Sequence, residues 1–192
     1  EVDLCGHATI AAFTVLRDTG AIAPGDYALH TRSGDLEIGV GADAVWMDMA
    51  APQDGRSFSE VEQEELYAAY GLTLADRPEG LEPQAVSTGL MDILLPVKDL
   101  ETLERAEQNE AQVTRLSEGY NVVGVHMFCP HTPDAAAHCR NFAPLYAIPE
   151  EAATGTSNGA LTWYLYRRGL IQAGADNRFV QGEKMGKPSE IL

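Results

Sequence analysis

The sequence predicts a chain of the α/β or α+β class that is built from two similar halves. Strand-like patterns alternate with segments of helical spacing along the whole chain, as in layered proteins of mixed class. Two stretches of small residues, at 5–12 and 150–161, each lead into an apolar helical pattern. The 192 residues, 45% of them hydrophobic, suffice for one or two compact domains with a sizeable core.

The two helix starts belong to an internal repeat, at residues 6–22 and 155–171. Each copy has a polar start, about three turns of helix, basic residues in the last turn, and then a glycine and an aliphatic pair. Basic residues followed by glycine are the expected end of a helix. Two distant copies exclude a solenoid and favour two facing halves, and the alternative is a pair of ordinary capped helices.

The N-terminal half begins with a predicted hairpin, whose strands are residues 27–31 and 36–40 and whose turn is 32–35. Residues 44–49 alternate in polarity and predict a third strand, and residues 52–57 predict a loop.

The region before the second half contains a predicted helix at residues 59–70, with Ser57 or Ser59 as its N-cap. The polar segment 74–83 contains two prolines and predicts a domain boundary. The expected domains are therefore residues 1–82 and 83–192.

The C-terminal half begins with a predicted turn at residues 87–89, followed by a buried strand at 90–97. A helix is predicted at 99–109, and strands are predicted at 124–128 and 178–181.

Titratable side chains stand at both helix starts and suggest acid–base chemistry. Backbone N–H groups at a helix start bind anions, so the carboxylates Glu150 and Glu151 need another function, such as proton transfer. His7 lies in the first turn of the other helix, where a neutral imidazole is favoured. Structural alternatives are a capping or packing histidine and carboxylates that complement the helix dipole.

Charge and composition exclude several classes of partner. The net charge of −16 argues against binding to nucleic acid or to anionic membranes, and no apolar run approaches membrane-spanning length. The sequence shows no basic n-region followed by an apolar h-region, so we expect a cytoplasmic location. Three cysteines without CxxC spacing disfavour a disulfide framework or a zinc site. No metal is predicted, because no ligand pattern matches the sequence cluster of His126, Cys129, His131, His138 and Cys139.

Four short motifs stand in a characteristic order. They are Cys-Gly-His-Ala-Thr at 5–9, Arg-Asn-Phe-Ala-Pro at 140–144, Glu-Glu with small residues at 150–159, and Gln-Gly-Glu-Lys-Met-Gly-Lys-Pro-Ser at 181–189. This series resembles the motifs of the phenazine-biosynthesis F-type (PhzF-like) isomerases over nearly the whole chain. The resemblance implies the diaminopimelate-epimerase-like fold, an α+β structure of two pseudo-symmetric halves, each a mixed sheet wrapped around a central helix.

The resemblance also implies site residues at both helix starts. His7 matches an active-site histidine and is expected to bind substrate or relay a proton. Glu151 matches the second carboxylate of the family, usually an aspartate, and Thr156 stands where serine is common. We expect His7, Glu151 and Thr156 to be catalytic, and the N–H groups around Gly6, His7, Gly155 and Thr156 to bind a substrate carboxylate.

The predicted activity is a cofactor-independent isomerisation by proton abstraction and return on a small carboxylate-bearing metabolite, in a homodimer. An epimerase or racemase is the alternative enzyme, and a non-catalytic small-anion-binding module is the alternative from another class. Diaminopimelate epimerases use two opposed cysteines. Cys5 matches the first, but Thr154 stands at the second position and cannot be an equivalent acid or base, so Cys5 is expected to be a small buried residue.

The resemblance further implies that the sequence is truncated at both ends. In the family, a segment with the principal acid–base glutamate precedes the Gly-His motif, and a strand follows the Pro-Ser motif. Glu1 lies too close to the helix start to be that glutamate. The chain as given is therefore expected to be a weak catalyst or none.

Overall fold

The computed structural model describes residues 6–31, 34–130 and 132–192, which form two compact units that divide between Ala51 and Pro52. The helices are α1 (Gly6–Asp18), α2 (Glu60–Ala68), α3 (Leu100–Arg105), α4 (Glu110–Tyr120) and α5 (Gly155–Arg167). The strands are β1 (Gly25–Thr31), β2 (Gly34–Val40), β3 (Val45–Met47), β4 (Gln53–Ser57), β5 (Gln84–Ser87), β6 (Met91–Pro96), β7 (Gly124–Pro130), β8 (Ala137–Ala143), β9 (Ile148–Glu151), β10 (Phe179–Gln181) and β11 (Ser189–Ile191). The predicted α+β class is confirmed.

The first unit consists of helix α1 and a three-stranded antiparallel sheet in the order β1-β2-β3. Strands β1 and β2 pair from Gly25 opposite Val40 to Thr31 opposite Gly34, which confirms the predicted hairpin. Of its predicted turn, Arg32 and Ser33 lie outside the described residues. Its core forms around the inward-facing side chains of β2, which are Leu36, Ile38 and Val40, and Phe13 of α1 packs against them.

The second unit contains an eight-stranded mixed sheet in the order β11-β10-β8-β7-β6-β5-β4, with β9 paired to β8. The pairs β6–β7 and β8–β10 are parallel, and the other pairs are antiparallel. Side chains alternate across this sheet, so Val125 and Met127 enter one core with α2, α3 and α4, whereas Phe128 enters the core beneath α5.

The two helices that follow the small-residue stretches share the features that suggest an internal repeat. Both α1 and α5 contain 13 residues and have an arginine in the last turn. Both end at a glycine with φ near +70°, Gly20 and Gly169, a backbone conformation that favours glycine. A matching hydrogen bond closes each end, from Ala21 N to Leu16 O at 2.9 Å and from Leu170 N to Leu165 O at 3.0 Å.

Several other predicted elements are confirmed with shifted ends. Ser59, rather than Ser57, caps α2, because its hydroxyl accepts the Glu62 N–H while the Glu62 carboxylate accepts the Ser59 N–H. Strands β3, β6, β7 and β10 fall within or over the predicted segments.

Three other predictions are wrong, two of them because sheet pairing overrides local composition. Residues 52–57 are not a loop, since β4 forms the edge of the larger sheet and pairs with β5 across a register shift between Asp54 and Ser57. Ser87 belongs to β5 rather than to a turn. The helix predicted at 99–109 ends at Arg105, and a further helix, α4, follows it.

The predicted domain boundary at residues 82/83 lies inside the second unit. Strand β4 and helix α2 precede that position, but β4 pairs with the larger sheet and α2 contributes Leu66 and Tyr67 to its core. The division falls earlier, between Ala51 and Pro52. Among the described residues, every helix is too short or too polar to cross a membrane.

Candidate active site

The candidate site of the second unit lies at the start of α5, next to β9. Successive residues of a strand face opposite sides, so Glu150 and Glu151 have different surroundings. The Glu150 carboxylate accepts from Arg140 Nε at 2.8 Å and from Arg140 Nη2 at 2.9 Å. Arg140 Nη1 also donates to Leu103 O at 2.9 Å and to Ala106 O at 2.7 Å. Glu150 is therefore part of a structural ion pair, which leaves Glu151 as the candidate carboxylate of the predicted site.

Glu151 is held by its backbone and by its side chain. Gln181 Nε2 donates to Glu151 O at 2.7 Å and to Thr154 Oγ1 at 3.0 Å. Thr154 Oγ1 in turn donates to Glu151 Oε2 at 3.3 Å. The motif that begins with Gln181 and Gly182 thus supports the segment that contains Glu151. Its Gly182 packs closely against that segment, because a Cβ on Gly182 would lie 2.7 Å from Ala152 O.

The first turn of α5 presents backbone donors beside this carboxylate. Thr154 is the N-cap residue, but its side chain makes no capping hydrogen bond because it is turned toward Glu151 and Gln181. The first backbone bond of the helix runs from Asn158 N to Thr154 O at 3.1 Å. By helix geometry, the N–H groups of Gly155, Thr156 and Ser157 lack an intrahelical acceptor and can bind an anion.

Two contacts from the β5–β6 hairpin fix this first turn. Thr88 Oγ1 donates to Thr156 O at 2.8 Å. Ser157 Oγ donates to Asp92 Oδ2 at 2.6 Å, and both side chains are buried. Burial, with a contribution from the charge of Glu151, raises the pKa of Asp92 to about 6, although hydrogen bonds from Ser157 and the Gly124 backbone oppose the shift.

A buried polar cluster continues behind the site, between the sheet and α5. Asn158 Nδ2 donates to Gln181 Oε1 at 2.9 Å, and Cys139 Sγ donates to Asn158 Oδ1 at 3.6 Å. His126 Nδ1 lies 3.0 Å from Asn141 Oδ1. Burial lowers the pKa of His126 to about 4, so this imidazole is neutral at physiological pH.

The candidate residues of the first unit stand at the start of α1. Gly6 is the first residue of that helix, and His7 follows it with an exposed side chain. A Cβ on Gly6 would lie 3.5 Å from Met47 Cε, an ordinary contact. Cys5 lies outside the described residues.

The predicted site residues therefore fall in two groups. Glu151, Gly155 and Thr156 lie together in the second unit, and Gly6 and His7 are neighbours in the first. The expectation that both groups serve one site stays a prediction.

Neither Asp92 nor Thr88 is predicted from the sequence as a residue of the site. The indication for Asp92 was its acidic side chain inside the apolar run 90–97, because a buried charge needs partners.

The histidines and cysteines that cluster in sequence are dispersed in the structure. Strand alternation sends Cys129 and Cys139 into different cores. The ring of His138 lies between two carboxylates, at 2.5 Å from Glu183 Oε2 and 3.1 Å from Asp134 Oδ1. His131 lies outside the described residues. Within the described part of the chain, no three His, Cys, Asp or Glu side chains are grouped for a metal ion.

Comparisons with known proteins identify relatives along the whole chain. The model of the PhzC-PhzF family, described as phenazine biosynthesis-like protein, matches residues 1–192. A protein from Deinococcus radiodurans named "Uncharacterized isomerase" is 35% identical over 200 residues, which are 100% of this chain and 64% of the relative. The chain thus spans less than two thirds of that protein. A trans-2,3-dihydro-3-hydroxyanthranilate isomerase from Pseudomonas chlororaphis is 42% identical over 50 residues, which are 26% of this chain and 18% of that isomerase.

Solved structures show the same fold. The crystal structure of a Bacillus anthracis phenazine biosynthesis protein of the PhzF family matches with a TM-score of 0.83 and 29% identity, over 99% of this chain and 67% of that chain. A hydroxyproline epimerase from Agrobacterium vitis matches with a TM-score of 0.54 and 15% identity, over 95% of this chain and 56% of that chain. The predicted diaminopimelate-epimerase-like fold is thereby confirmed.

Proposed function

This chain belongs to the phenazine biosynthesis-like (PhzC-PhzF) family, and from that premise we propose that it is part of a cofactor-independent isomerase. The reaction moves a proton on a small carboxylate-bearing metabolite. Relatives named isomerases support this class of reaction, and one of them is named for trans-2,3-dihydro-3-hydroxyanthranilate. A cyclic amino carboxylic acid of that kind is the substrate class that we propose.

The observation that carries the proposal is the altered cap at the start of α5. A threonine at an N-cap normally accepts a hydrogen bond from the first turn. Here the Thr154 hydroxyl donates to the carboxylate of Glu151, and its side chain caps no N–H group. One residue thus positions a proton acceptor and leaves backbone donors to a ligand. A helix that served only as structure would gain stability from the ordinary cap.

The chemistry divides between those two groups. The N–H groups of Gly155 and Thr156, with the Thr156 hydroxyl, bind the substrate carboxylate and stabilise the negative charge that develops when a neighbouring C–H bond breaks. Glu151 exchanges a proton with the substrate carbon. The C–H electron pair shifts the double bond, and return of a proton at another carbon completes the isomerisation without a net change in atoms or electrons.

A second helix start, that of α1 in the first unit, is predicted from the sequence to take part in substrate binding. Gly6 and His7 begin α1, and the exposed imidazole of His7 can donate or accept a proton. The N–H groups of that helix start are proposed to bind a substrate carboxylate.

An epimerase is the second candidate, because the fold is shared with a hydroxyproline epimerase. The position of Thr154 disfavours a two-cysteine mechanism, since its hydroxyl is neither a comparable acid nor a comparable base. Retention of the fold as a small-anion-binding module is the candidate from another class. A homodimer and a cytoplasmic location belong to the proposal as predictions from sequence.

Deuterium incorporation tests the proposal directly. The full-length product of the gene is incubated in D₂O with trans-2,3-dihydro-3-hydroxyanthranilate and a panel of cyclic and amino carboxylic acids. We expect incorporation and double-bond migration with at least one compound, and a fall of about 10²-fold or more in Glu151→Gln and His7→Asn. Glu64→Gln, which removes an exposed carboxylate of α2, is the matched control.

The possible outcomes separate the candidates. Incorporation with inversion at a stereocentre, but without double-bond migration, indicates an epimerase. Carboxylate binding with no incorporation for any compound indicates the binding module. Full activity in Glu151→Gln would refute the role given to that residue.

A further inference from the structure

A cavity of about 140 Å³ lies in the second unit, between α3, strand β8 and the single helical turn Glu183–Met185. Leu100 and Leu103 of α3 line one side of it. His138 of β8 and the charged residues of the turn line the rest. The proposed reaction uses none of these side chains, so the cavity needs an explanation of its own.

The turn Glu183–Met185, called the hinged turn below, stands between two glycines in the left-handed region. Gly182 has a φ of 86° and Gly186 a φ of 66°. Glycine changes its backbone angles at lower cost than any other residue, and hinges form where a few such positions bound a rigid piece. The hinged turn can therefore move as one piece about its two ends.

The ring of His138 joins the hinged turn to the sheet. This side chain is buried, and its Nδ1 lies 2.5 Å from Glu183 Oε2 while its Nε2 lies 3.1 Å from Asp134 Oδ1. Ionised carboxylates can only accept, so both contacts are hydrogen bonds only when both ring nitrogens carry a hydrogen. A neutral ring would turn a lone pair toward one of the two carboxylates, and that contact would have to open.

The surroundings of the two carboxylates decide which contact opens. Asp134 is also held by Arg178, whose Nη1 donates to Asp134 O at 2.7 Å and lies 3.5 Å from Asp134 Oδ2. The hydrogen bond from His138 is the largest cause that lowers the pKa of Asp134. The Glu183 side chain is 50% exposed and has no second basic partner among the described residues. Loss of the ring proton should therefore release Glu183.

The other charged side chains near this cluster are engaged in ion pairs. The pairs are Lys184 with Glu104, Arg140 with Glu150, and Arg178 with Glu190. Of the residue types in the cluster, only histidine ordinarily changes charge between about pH 5 and pH 8.

We propose that the hinged turn is a lid over this cavity and that His138 latches it closed through Glu183. The latch is complete at low pH, when both ring nitrogens carry a hydrogen, and it is lost as the pH rises and the ring gives up a proton. Gln181, which supports the segment of Glu151, directly precedes the first hinge. The inference does not depend on the proposed isomerase activity.

Hydrogen exchange in the full-length protein tests the lid without any substrate. The N–H groups of Met185 and Lys187 donate to Gly182 O at 3.1 and 3.0 Å, and that of Gly186 donates to Glu183 O at 2.9 Å. Their exchange is measured at about pH 5.5 and about pH 8.5 and corrected for the intrinsic dependence on pH. We expect these amides to exchange about tenfold faster or more at the higher pH, while the α5 amides stay unchanged.

Two variants test the proton count of the latch. In Glu183→Gln and in Asp134→Asn the new amide can donate to a ring nitrogen that has lost its hydrogen, so both contacts persist at either pH. We expect the corrected rates at the two pH values to agree within about twofold in both variants, and the control Glu64→Gln to keep the wild-type ratio.

The opposite results would overturn the proposal. They are equal corrected rates at the two pH values in the wild type, an equal acceleration in α5, or a pH dependence that persists in both Glu183→Gln and Asp134→Asn.

Discussion

We expect the ion pair between Arg140 and Glu150 of β9 to contribute a large part of the stability of the second unit. In Arg140→Met the guanidinium is lost, and with it the two bonds to Glu150 and the two bonds to the carbonyl groups of Leu103 and Ala106. The Glu150 side chain is only 17% exposed, so its carboxylate is left largely desolvated without a partner. Breaking a buried ion pair from one side costs about 3–5 kcal/mol.

That loss is a large fraction of the total free energy of unfolding. Domains of this kind unfold with a free energy of roughly 5–15 kcal/mol. With a urea m-value of about 2 kcal/mol/M, the midpoint of unfolding should fall by roughly 2 M. Glu150→Gln should lose less, about 2 kcal/mol, because the amide oxygen still accepts one hydrogen bond from the charged guanidinium.

Urea unfolding followed by circular dichroism measures both variants. The matched control is Arg115→Met, since Arg115 is 66% exposed and its contact with Glu65 spans 4.0 Å. An exposed pair of that kind contributes about 0–1 kcal/mol. A loss below about 1 kcal/mol in Arg140→Met, or equal losses in Arg140→Met and Arg115→Met, would show that the pair does not hold β9.

Four further predictions concern single residues. Burial alone would raise the pKa of Asp76, but hydrogen bonds from backbone and basic side chains lower it from 3.8 to about 2. Its contribution is complete above about pH 4 and lost as the pH falls toward 2, so in chemical unfolding Asp76→Asn should cost about 2 kcal/mol at pH 7 and little at pH 2. Burial lowers the pKa of His126 from 6.5 to about 4. As the pH falls from 6.5 to about 4, the imidazole is protonated in the unfolded state but stays neutral in the folded state, which lowers the free energy of unfolding by about 2–3 kcal/mol. Chemical unfolding of His126→Gln over this pH range should lack that decrease. In Gly124→Ala the new Cβ would overlap the Phe142 carbonyl, so the free energy of unfolding should fall by about 1–3 kcal/mol. In Gly155→Ala the new Cβ would have no atom within 4 Å, so thermal stability should be kept. Sulfate affinity, followed by NMR titration, should fall because the methyl group would obstruct close approach of the anion to the backbone. Unchanged sulfate affinity would count against close approach of a ligand at Gly155.

The parts of the fold that follow from local chemistry could be predicted from sequence. The two long helices, the first hairpin and the Ser59 cap each depend on residues close together in the chain. Strand β4 could not be predicted, because its residues Gln53–Ser57 are polar and contain a glycine, and only pairing with β5 makes them a strand. The same holds for the boundary between the units, which depends on where β4 pairs.

The site was predictable to the level of its motifs but not of its contacts. The sequence placed Glu150 and Glu151 beside a helix start, and only the structure separates them, since Arg140 binds the first. The sequence also contained Gln181 within a recognisable motif, but its contacts with Glu151 span 30 positions and need the tertiary structure. Contacts between distant segments are the information that a local pattern lacks.

The distribution of polar residues across one sheet is the strongest structural argument for the location of the site. On the face covered by α2, α3 and α4, strand β7 contributes the apolar side chains Val125 and Met127. On the opposite face, beneath the first turns of α5, the sheet contributes Asp92, His126 and Asn141, all buried. Burying such groups costs free energy that a purely structural core avoids by using apolar residues.

These buried polar groups lie where α5 presents its N–H groups, and the apolar core resumes one turn later with Leu161 and Tyr164. Stability alone would favour the apolar arrangement along the whole helix. On the face of the sheet that α5 covers, the buried polar groups are confined to the start of the helix, which supports the proposed position of the site.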